Sequence, residues 1–140
     1  MKKKVMLSIR GVQNYMEQDP DVIELTTEGI LEKLDNGWQI LYQETELTGM
    51  AGVTTSFRLE PEKIVLTRTG KLNSQMVFQQ GVVHESLYQL EFGALMLCVC
   101  ANHISWNISE DGGSVDLCYS IEIEQNAAGT INYHLDIKSI

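Results

Sequence analysis

The sequence predicts an all-β protein in which a single antiparallel meander closes into a barrel of eight to ten strands. One observation is a two-residue hydrophobic period that recurs nearly from end to end and is clearest over 115–123 and 131–137. Successive side chains of a strand point to opposite faces, so this period is typical of strands with one buried face. The other observation is that turn-forming residues interrupt the period roughly every 8–14 residues, as expected for short strands.

Turn signals delimit the predicted strands in the first half of the chain. Pro20 fixes its own φ within an acidic turn, and Asn36-Gly37 is typical of a tight hairpin turn that needs positive φ. Gly29 lies inside the second strand, where a missing side chain often marks a bulge or a bend. A loop is predicted over 48–52. The strands predicted in this half cover about 3–16, 22–34, 38–45, 53–59 and 63–69.

The second half of the chain is less uniform. Residues 82–92 fit either a short helix or a strand, and we favour the strand because every neighbouring element is one. Glycines mark a hairpin loop over 110–113, and the segment 126–129 is predicted to turn into the last strand. The strands predicted in this half cover about 74–80, 82–92, 94–108 and 114–125, with a tenth from about 130.

The connections predict how these strands are arranged. Short connections make successive strands antiparallel neighbours. A flat ten-stranded meander would expose two adhesive edges and an uncovered apolar face, and closure into a barrel removes both problems. A two-sheet sandwich is the alternative. A length of 140 residues predicts one domain over 1–140.

Charge and hydropathy exclude several classes of partner. The formal net charge is −9, so we expect neither nucleic acid nor an anionic membrane as a partner. No apolar run approaches the roughly 18 residues of a membrane-spanning helix. The basic start at 2–4 is followed by too short an apolar stretch for a secretory signal, which predicts a cytoplasmic protein.

No catalytic or metal-binding motif stands out, so we expect no enzyme activity, no cofactor and no metal. Cys98 and Cys100 lie one residue apart in a strand, which splays their sulfurs too far for the usual zinc spacing. With Cys118 they are predicted to be free, buried thiols. Three scattered histidines belong to no recognisable catalytic motif; they are His84, His103 and His134.

Polar residues on inward-facing rows are the candidate binding groups. Glu44 extends the inward row of the third strand, and Arg68 extends that of the fifth. A buried charge must be paired or hydrogen-bonded, so the two could form a structural ion pair at the barrel end or orient a small ligand. The candidate lining residues of the barrel interior are Trp38, Tyr42, Glu44, Thr55, Phe57, Arg68, Phe78, Tyr88 and Tyr119.

The segment Ala94–Ala101 is apolar on both of its predicted faces. A barrel strand buries only one face in the core, so something has to cover the other. A second copy of the chain in a homodimer would do so, and so would another segment of the same chain.

Several motifs resemble a known family. They run from Trp38-x-Ile40-x-Tyr42-x-Glu44-Thr45 through Val53-Thr54-Thr55 and Ile64-Val65-Leu66-Thr67-Arg68-x-Gly70 to the stretches 88–93 and 115–119. In these motifs the chain is similar to the YwiB-like proteins, small bacterial proteins with a calycin-like (lipocalin-like) β-barrel. The resemblance implies a barrel like those of small-ligand carriers, and it brings no assigned activity with it.

Two functions fit these observations. The first is a cytoplasmic barrel that binds a small apolar ligand in its interior without catalysis. The alternative is a protein-interaction or assembly module with a packed core, which acts through its surface or a homodimer interface. The interior volume separates them, because a cavity of about 300 Å³ or more would support a ligand.

Overall fold

The described residues form ten strands of one antiparallel sheet in the computed structural model. The structure describes residues 2–15, 19–45, 51–90, 93–124 and 126–140, with the backbone alone at 15, 88, 90 and 126–128. The predicted loop over 48–52 therefore lies largely outside the described residues. The strands are β1 (Lys2–Tyr15), β2 (Asp21–Leu34), β3 (Gly37–Gln43), β4 (Val53–Glu60), β5 (Lys63–Gly70), β6 (Ser74–Phe78), β7 (Val83–Leu90), β8 (Gly93–Ser109), β9 (Gly112–Ile123) and β10 (Asn126–Ser139).

The strands follow one another around the sheet, and the sheet is nearly closed into a barrel. Its order is β6-β5-β4-β3-β2-β1-β10-β9-β8-β7, so the first and last strands of the chain pair in its middle. The two edge strands, β6 and β7, meet at a seam. There Asn73 and Gln89 exchange backbone hydrogen bonds of 3.0 and 2.9 Å, and Ser86 Oγ donates to the Gln75 carbonyl at 2.5 Å. The predicted all-β meander barrel is confirmed, and 82–92 contains a strand.

The hairpin between β2 and β3 is where it was predicted, but its glycine has a different role. Leu34 pairs with Gly37 across a two-residue turn. Neither Asn36 nor Gly37 has the expected positive φ. A Cβ atom on Gly37 would instead lie 1.8 Å from the Leu59 carbonyl oxygen, so the close approach of β4 requires glycine here.

Two predictions about local geometry need correction. Pairing of β1 with β2 continues in register through Gly29, so this glycine does not mark a bulge, and the predicted bend stays a prediction. A Cβ atom on Gly29 would lie 2.6 Å from Leu7 Cδ1. The predicted turn at 126–129 belongs to β10, because the chain already reverses at Glu124, whose φ is 51°. A register shift between Ala127 and Gly129 places this segment in the strand as a bulge.

One end of the barrel is filled by apolar side chains. A register shift between Ala101 and His103 changes the inward parity of β8, so that partly buried Ile104, Trp106 and Ile108 pack against the core. Trp106 Nε1 donates to the carbonyl of Glu60, the last residue of β4, at 3.0 Å. This tryptophan therefore ties β8 to the opposite side of the sheet. We call this end, where β4 meets β5 and β8 meets β9, the closed end.

The second apolar face of the segment Ala94–Ala101 lies on the outside of the barrel. Cys98 and Cys100 are half-buried there, and Cys118 is half-buried on the outer face of β9. The prediction that these thiols lie in the core was wrong, because the inward positions of β8 belong to their neighbours Leu97 and Val99. All three cysteines are free. In the described part of the chain, no helix has the length and apolar character needed to cross a membrane.

Candidate ligand cavity in the barrel

A cavity of about 400 Å³ lies inside the barrel at the end opposite the closed end. We call this the open end, because the rim residues Ile23, Leu95 and Ile123 are partly exposed there. Because successive strands run in opposite directions, this end also holds the connections β1–β2, β3–β4, β5–β6, β7–β8 and β9–β10. The cavity is lined by Ile9, Gly11, Gln13, Ile23, Leu25, Tyr42, Glu44, Arg68, Met76, Leu95, Leu97, Tyr119, Ile121, Ile123, Ile131 and Tyr133.

The register aligns four polar side chains on adjacent strands, and two of them, Tyr42 and Arg68, line one wall of the cavity. Tyr42 pairs with Thr55, Thr55 with Arg68, and Arg68 with Ser74. We call these four residues, on β3 to β6, the polar row. All four are buried, whereas the wall formed by β1, β2, β8 and β9 is mostly apolar. The cavity thus has one hydrogen-bonding side and one hydrophobic side.

Glu44 lies one inward position beyond Tyr42 and is held by the hydroxyl groups around it. Its backbone N–H donates to the Val53 carbonyl at 2.8 Å, which extends the pairing of β3 with β4 past the end of the strand. Its Oε2 accepts a hydrogen bond of 2.5 Å from Thr55 Oγ1, and the Tyr42 hydroxyl also bonds to it. Burial, and then the charge of Glu44, raise the pKa of Tyr42, so this phenol stays protonated.

Arg68 is a buried cation with few hydrogen bonds. Its residue surface is 6% exposed, and its Nη2 donates to the Tyr133 hydroxyl at 3.4 Å. Its Nε has no hydrogen-bond partner among the described residues. Burial alone lowers the pKa of the guanidinium, but attraction to the surrounding tyrosines and Glu44 outweighs burial and leaves the pKa above its ordinary value.

Tyr133 completes the site from the opposite side of the barrel. Its ring lies over Gly11, where a Cβ atom would come within 3.0 Å of the tyrosine Cε1. It stacks against Tyr119 with 6.4 Å between ring centroids and meets Phe57 edge-on at 6.4 Å. Glycine on β1 therefore makes room for the ring, and two aromatic neighbours fix where its hydroxyl meets Arg68.

The nine predicted lining residues divide by depth in the barrel. Tyr42, Glu44, Arg68 and Tyr119 line the cavity. Four others are buried in the surrounding core: Trp38, Thr55, Phe57 and Phe78. The side chain of Tyr88 lies outside the described residues.

Alternation identified inward rows correctly but not the height of each residue along the barrel axis. The other twelve lining residues were not on the predicted list, and they include the polar side chains of Tyr133 and Gln13. Tyr133 had a signal, since it lies in the alternating row 131–137, directly opposite Gly11 on β1.

A second group of titratable side chains lies on the outer face of the barrel. His134 lies between two carboxylates, with Nδ1 2.6 Å from Asp116 Oδ1 and Nε2 3.2 Å from Asp136 Oδ2. The hydrogen bond to Asp116 is the main reason why the pKa of His134 is raised. Within the described ranges, no group of three or more histidine, cysteine or acidic side chains could hold a metal ion.

Comparison with known proteins gives the family and supports the fold. No curated protein matches the sequence. A crystal structure of the ywiB protein from Bacillus subtilis matches 99% of this chain and 93% of its own, with a TM-score of 0.86 and 19% identity. At this identity the likeness shows the fold alone. A family model described as "Domain of unknown function (DUF1934)" matches residues 7–137. The YwiB-like resemblance is therefore confirmed, and the chain belongs to the DUF1934 family.

Proposed function

We propose that this protein binds a small, mostly apolar molecule at the open end of the barrel and does not transform it. The observation that carries the proposal is the cavity of about 400 Å³. Small-molecule sites span roughly 300–1,000 Å³ and combine an apolar lining with a few placed polar groups. The mostly apolar wall and the polar row supply this combination.

The hydrogen bonds around the cavity favour binding over catalysis. The carboxylate of Glu44 accepts from Thr55 and Tyr42, so protein hydroxyls already occupy the group best suited to act as a general base. The phenol of Tyr42 is held protonated by its surroundings. The polar groups are thus arranged to orient an occupant, and we propose no reaction step.

The cysteines support a cytoplasmic location as part of this proposal. Three free thiols lie half-buried at the surface of the barrel. Thiols of this kind persist in reducing compartments, whereas secreted proteins of small size tend to pair them. The calycin-like assignment within the barrel class stays a prediction.

An apolar fluorescent probe tests whether the barrel interior binds ligands. Ile121→Trp would fill the cavity from its apolar wall, whereas Arg58→Trp adds the same ring at an exposed position on the outer face of β4. We expect the first variant to lose at least about tenfold in probe affinity and the second to bind like the unmodified protein. Equal binding by both variants would show that the probe does not enter the barrel. Native mass spectrometry of protein purified from its own host would then identify the natural occupant.

The outer face of β7 and β8 supports a second candidate function, that of an interaction module. Val83, Leu87 and Met96 are 63%, 45% and 41% exposed, and register places Leu87 directly beside Met96. Contiguous exposed apolar side chains often mark protein interfaces. Light scattering across a range of concentrations tests a homodimer, and Met96→Glu should dissociate one. A monomer at every concentration would end the homodimer form of this candidate.

A further inference from the structure

We propose that the occupant of the cavity carries a carboxylate and that Arg68 and Tyr133 bind it. This inference rests on the proposed function and names the chemical class of the ligand. Its starting point is a pair of buried polar atoms in the polar row. Arg68 Nε and Ser74 Oγ lack hydrogen-bond partners among the described residues, and the two residues face each other across β5 and β6. Buried polar atoms are seldom left unpaired. Since Arg68 lines the cavity and Ser74 does not, the unpaired Nε indicates that another group belongs beside Arg68 in the cavity.

The unpaired group of Arg68 is a hydrogen-bond donor. A guanidinium carries N–H donors and no acceptor, and its planar fork matches the two oxygens of a carboxylate. Arg68 lines the cavity and is more than nine-tenths buried, so a group that reaches it from the cavity is shielded from water. Charge-assisted hydrogen bonds are stronger than neutral ones under such conditions.

Tyr133 supplies a second donor on the same spot. Its hydroxyl oxygen accepts from Arg68 Nη2, so its own proton points to a different acceptor. The ring is held by Gly11, Tyr119 and Phe57, which fixes the hydroxyl next to the guanidinium. Together the two side chains present an N–H fork and an O–H group to one anionic head group.

Glu44 does not occupy this place, although its charge acts on Arg68. Its Oε2 accepts from Thr55, and Tyr42 bonds to the same carboxylate, so hydroxyl groups on β3 and β4 hold it on its own side. Its negative charge offsets part of the guanidinium charge. We therefore expect a preference for a carboxylate over a neutral head group of about 10–100-fold, the range of hydrogen bonds to charged groups.

The position of Arg68 also predicts the orientation of the ligand. Arg68 and Tyr119 are nearly inaccessible, whereas Ile23, Leu95 and Ile123 form a partly exposed apolar rim. A carboxylate on Arg68 would place an apolar tail along the isoleucine-rich wall, towards the open end. The preferred ligand is an amphipathic carboxylic acid bound head first.

A head-group series with one tail tests the inference on the unmodified protein. Decanoate, decanol and decylamine are compared at neutral pH by displacement of the apolar fluorescent probe. We expect decanoate to bind about 10–100-fold more tightly than decanol, with decylamine the weakest. Arg68→Met should abolish the preference and keep the affinity for decanol. Arg58→Met removes the same charge from the exposed face of β4 and should change neither.

The outcomes separate this inference from the proposed function. Equal affinity for decanoate and decanol, or an undiminished preference in Arg68→Met, would overturn the carboxylate anchor and leave ligand binding intact. Failure of all three probes and of the fluorophore to bind would overturn both proposals. Arg68→Lys keeps the charge without the fork, so we expect about tenfold weaker decanoate binding with the order of the probes preserved. Tyr133→Phe should weaken decanoate binding and spare decanol.

Discussion

The closed and open ends of the barrel are built by the same strands but filled by different side chains. On β5 the inward row runs from Ile64 and Leu66 at the closed end to Arg68 at the open end. The inward side chains of three strands change from apolar at the closed end to polar at the open end. They run from Trp38 on β3 to Glu44 just beyond it, from Ile64 to Arg68 on β5, and from Phe78 to Ser74 on β6.

One regular sheet carries a packed core at one end and a cavity with polar groups at the other. Backbone pairing is continuous along both ends of β3 to β6, so the wall itself does not differ. What differs is whether inward side chains meet across the interior. At the closed end Trp106 reaches the end of β4 on the opposite side, whereas at the open end Tyr42 and Arg68 of the polar row face a cavity.

The largest effect should come from shortening a leucine at the closed end. Leu66→Ala should lower the free energy of unfolding by up to about 5 kcal/mol, because Leu66 is fully buried in the hydrophobic core and its loss leaves a cavity there. Leu97→Ala is the matched change in the cavity wall and should cost about 2–3 kcal/mol, since part of its surface already borders the cavity. Urea denaturation of both variants measures the difference. Equal losses would mean that the two ends are packed alike.

Removing the buried carboxylate should be the next largest change. Glu44→Leu takes the acceptor from Thr55 and removes the negative charge that acts on Arg68, so we expect a loss of about 3–4 kcal/mol in unfolding free energy. Adding Arg68→Met should recover most of this loss, because the uncompensated cation is removed as well. A single-variant loss below about 0.5 kcal/mol would show that water already screens these charges.

The strands and the inward rows could be predicted from the sequence because alternation reports which face of a strand is buried. Glu44 and Arg68 were found in this way, at the ends of rows that begin with large apolar residues. The ambiguous segment 82–92 was also assigned correctly over the part that the structure describes as a strand, Val83–Leu90, because its neighbours were strands.

The alternation of apolar and polar residues could not predict the pairing register between strands, and this register brings the residues of the site together. Thr55, Arg68 and Ser74 become neighbours only through the pairings that the hairpin turns set. The partnership of Arg68 with Tyr133 joins residues 65 positions apart, across the barrel interior. The bulge after Ala101 changes the parity of β8 without a glycine to mark it. These contacts depend on closure of the whole sheet, which no local pattern encodes.

A smaller effect should follow from removing the hydrogen bond between Trp106 and the Glu60 carbonyl at the closed end. Trp106→Phe keeps an aromatic ring against the core but removes the donor to the Glu60 carbonyl, so we expect a loss of about 1 kcal/mol in unfolding free energy. Probe affinity at the open end should stay unchanged, because Trp106 does not line the cavity. A weakened affinity would show that the two ends are coupled more tightly than their packing indicates.

The smallest effect should come from the charges on the outer face, which belong to neither end. His134 has a raised pKa in the folded protein because of Asp116 and Asp136, so its stabilising contribution is complete below the unfolded pKa of about 6.5. The contribution is lost as the pH rises through the raised folded-state pKa. Since the side chain is 45% exposed, we expect less than about 1 kcal/mol. Urea midpoints of the unmodified protein and of His134→Asn, measured from mildly acidic to mildly basic pH, should converge as the pH rises. Parallel curves would show that the carboxylates do not favour the protonated imidazole. A loss of unfolding free energy in His134→Asn as large as that in Glu44→Leu would show that exposed charges contribute as much as the buried charges at the open end.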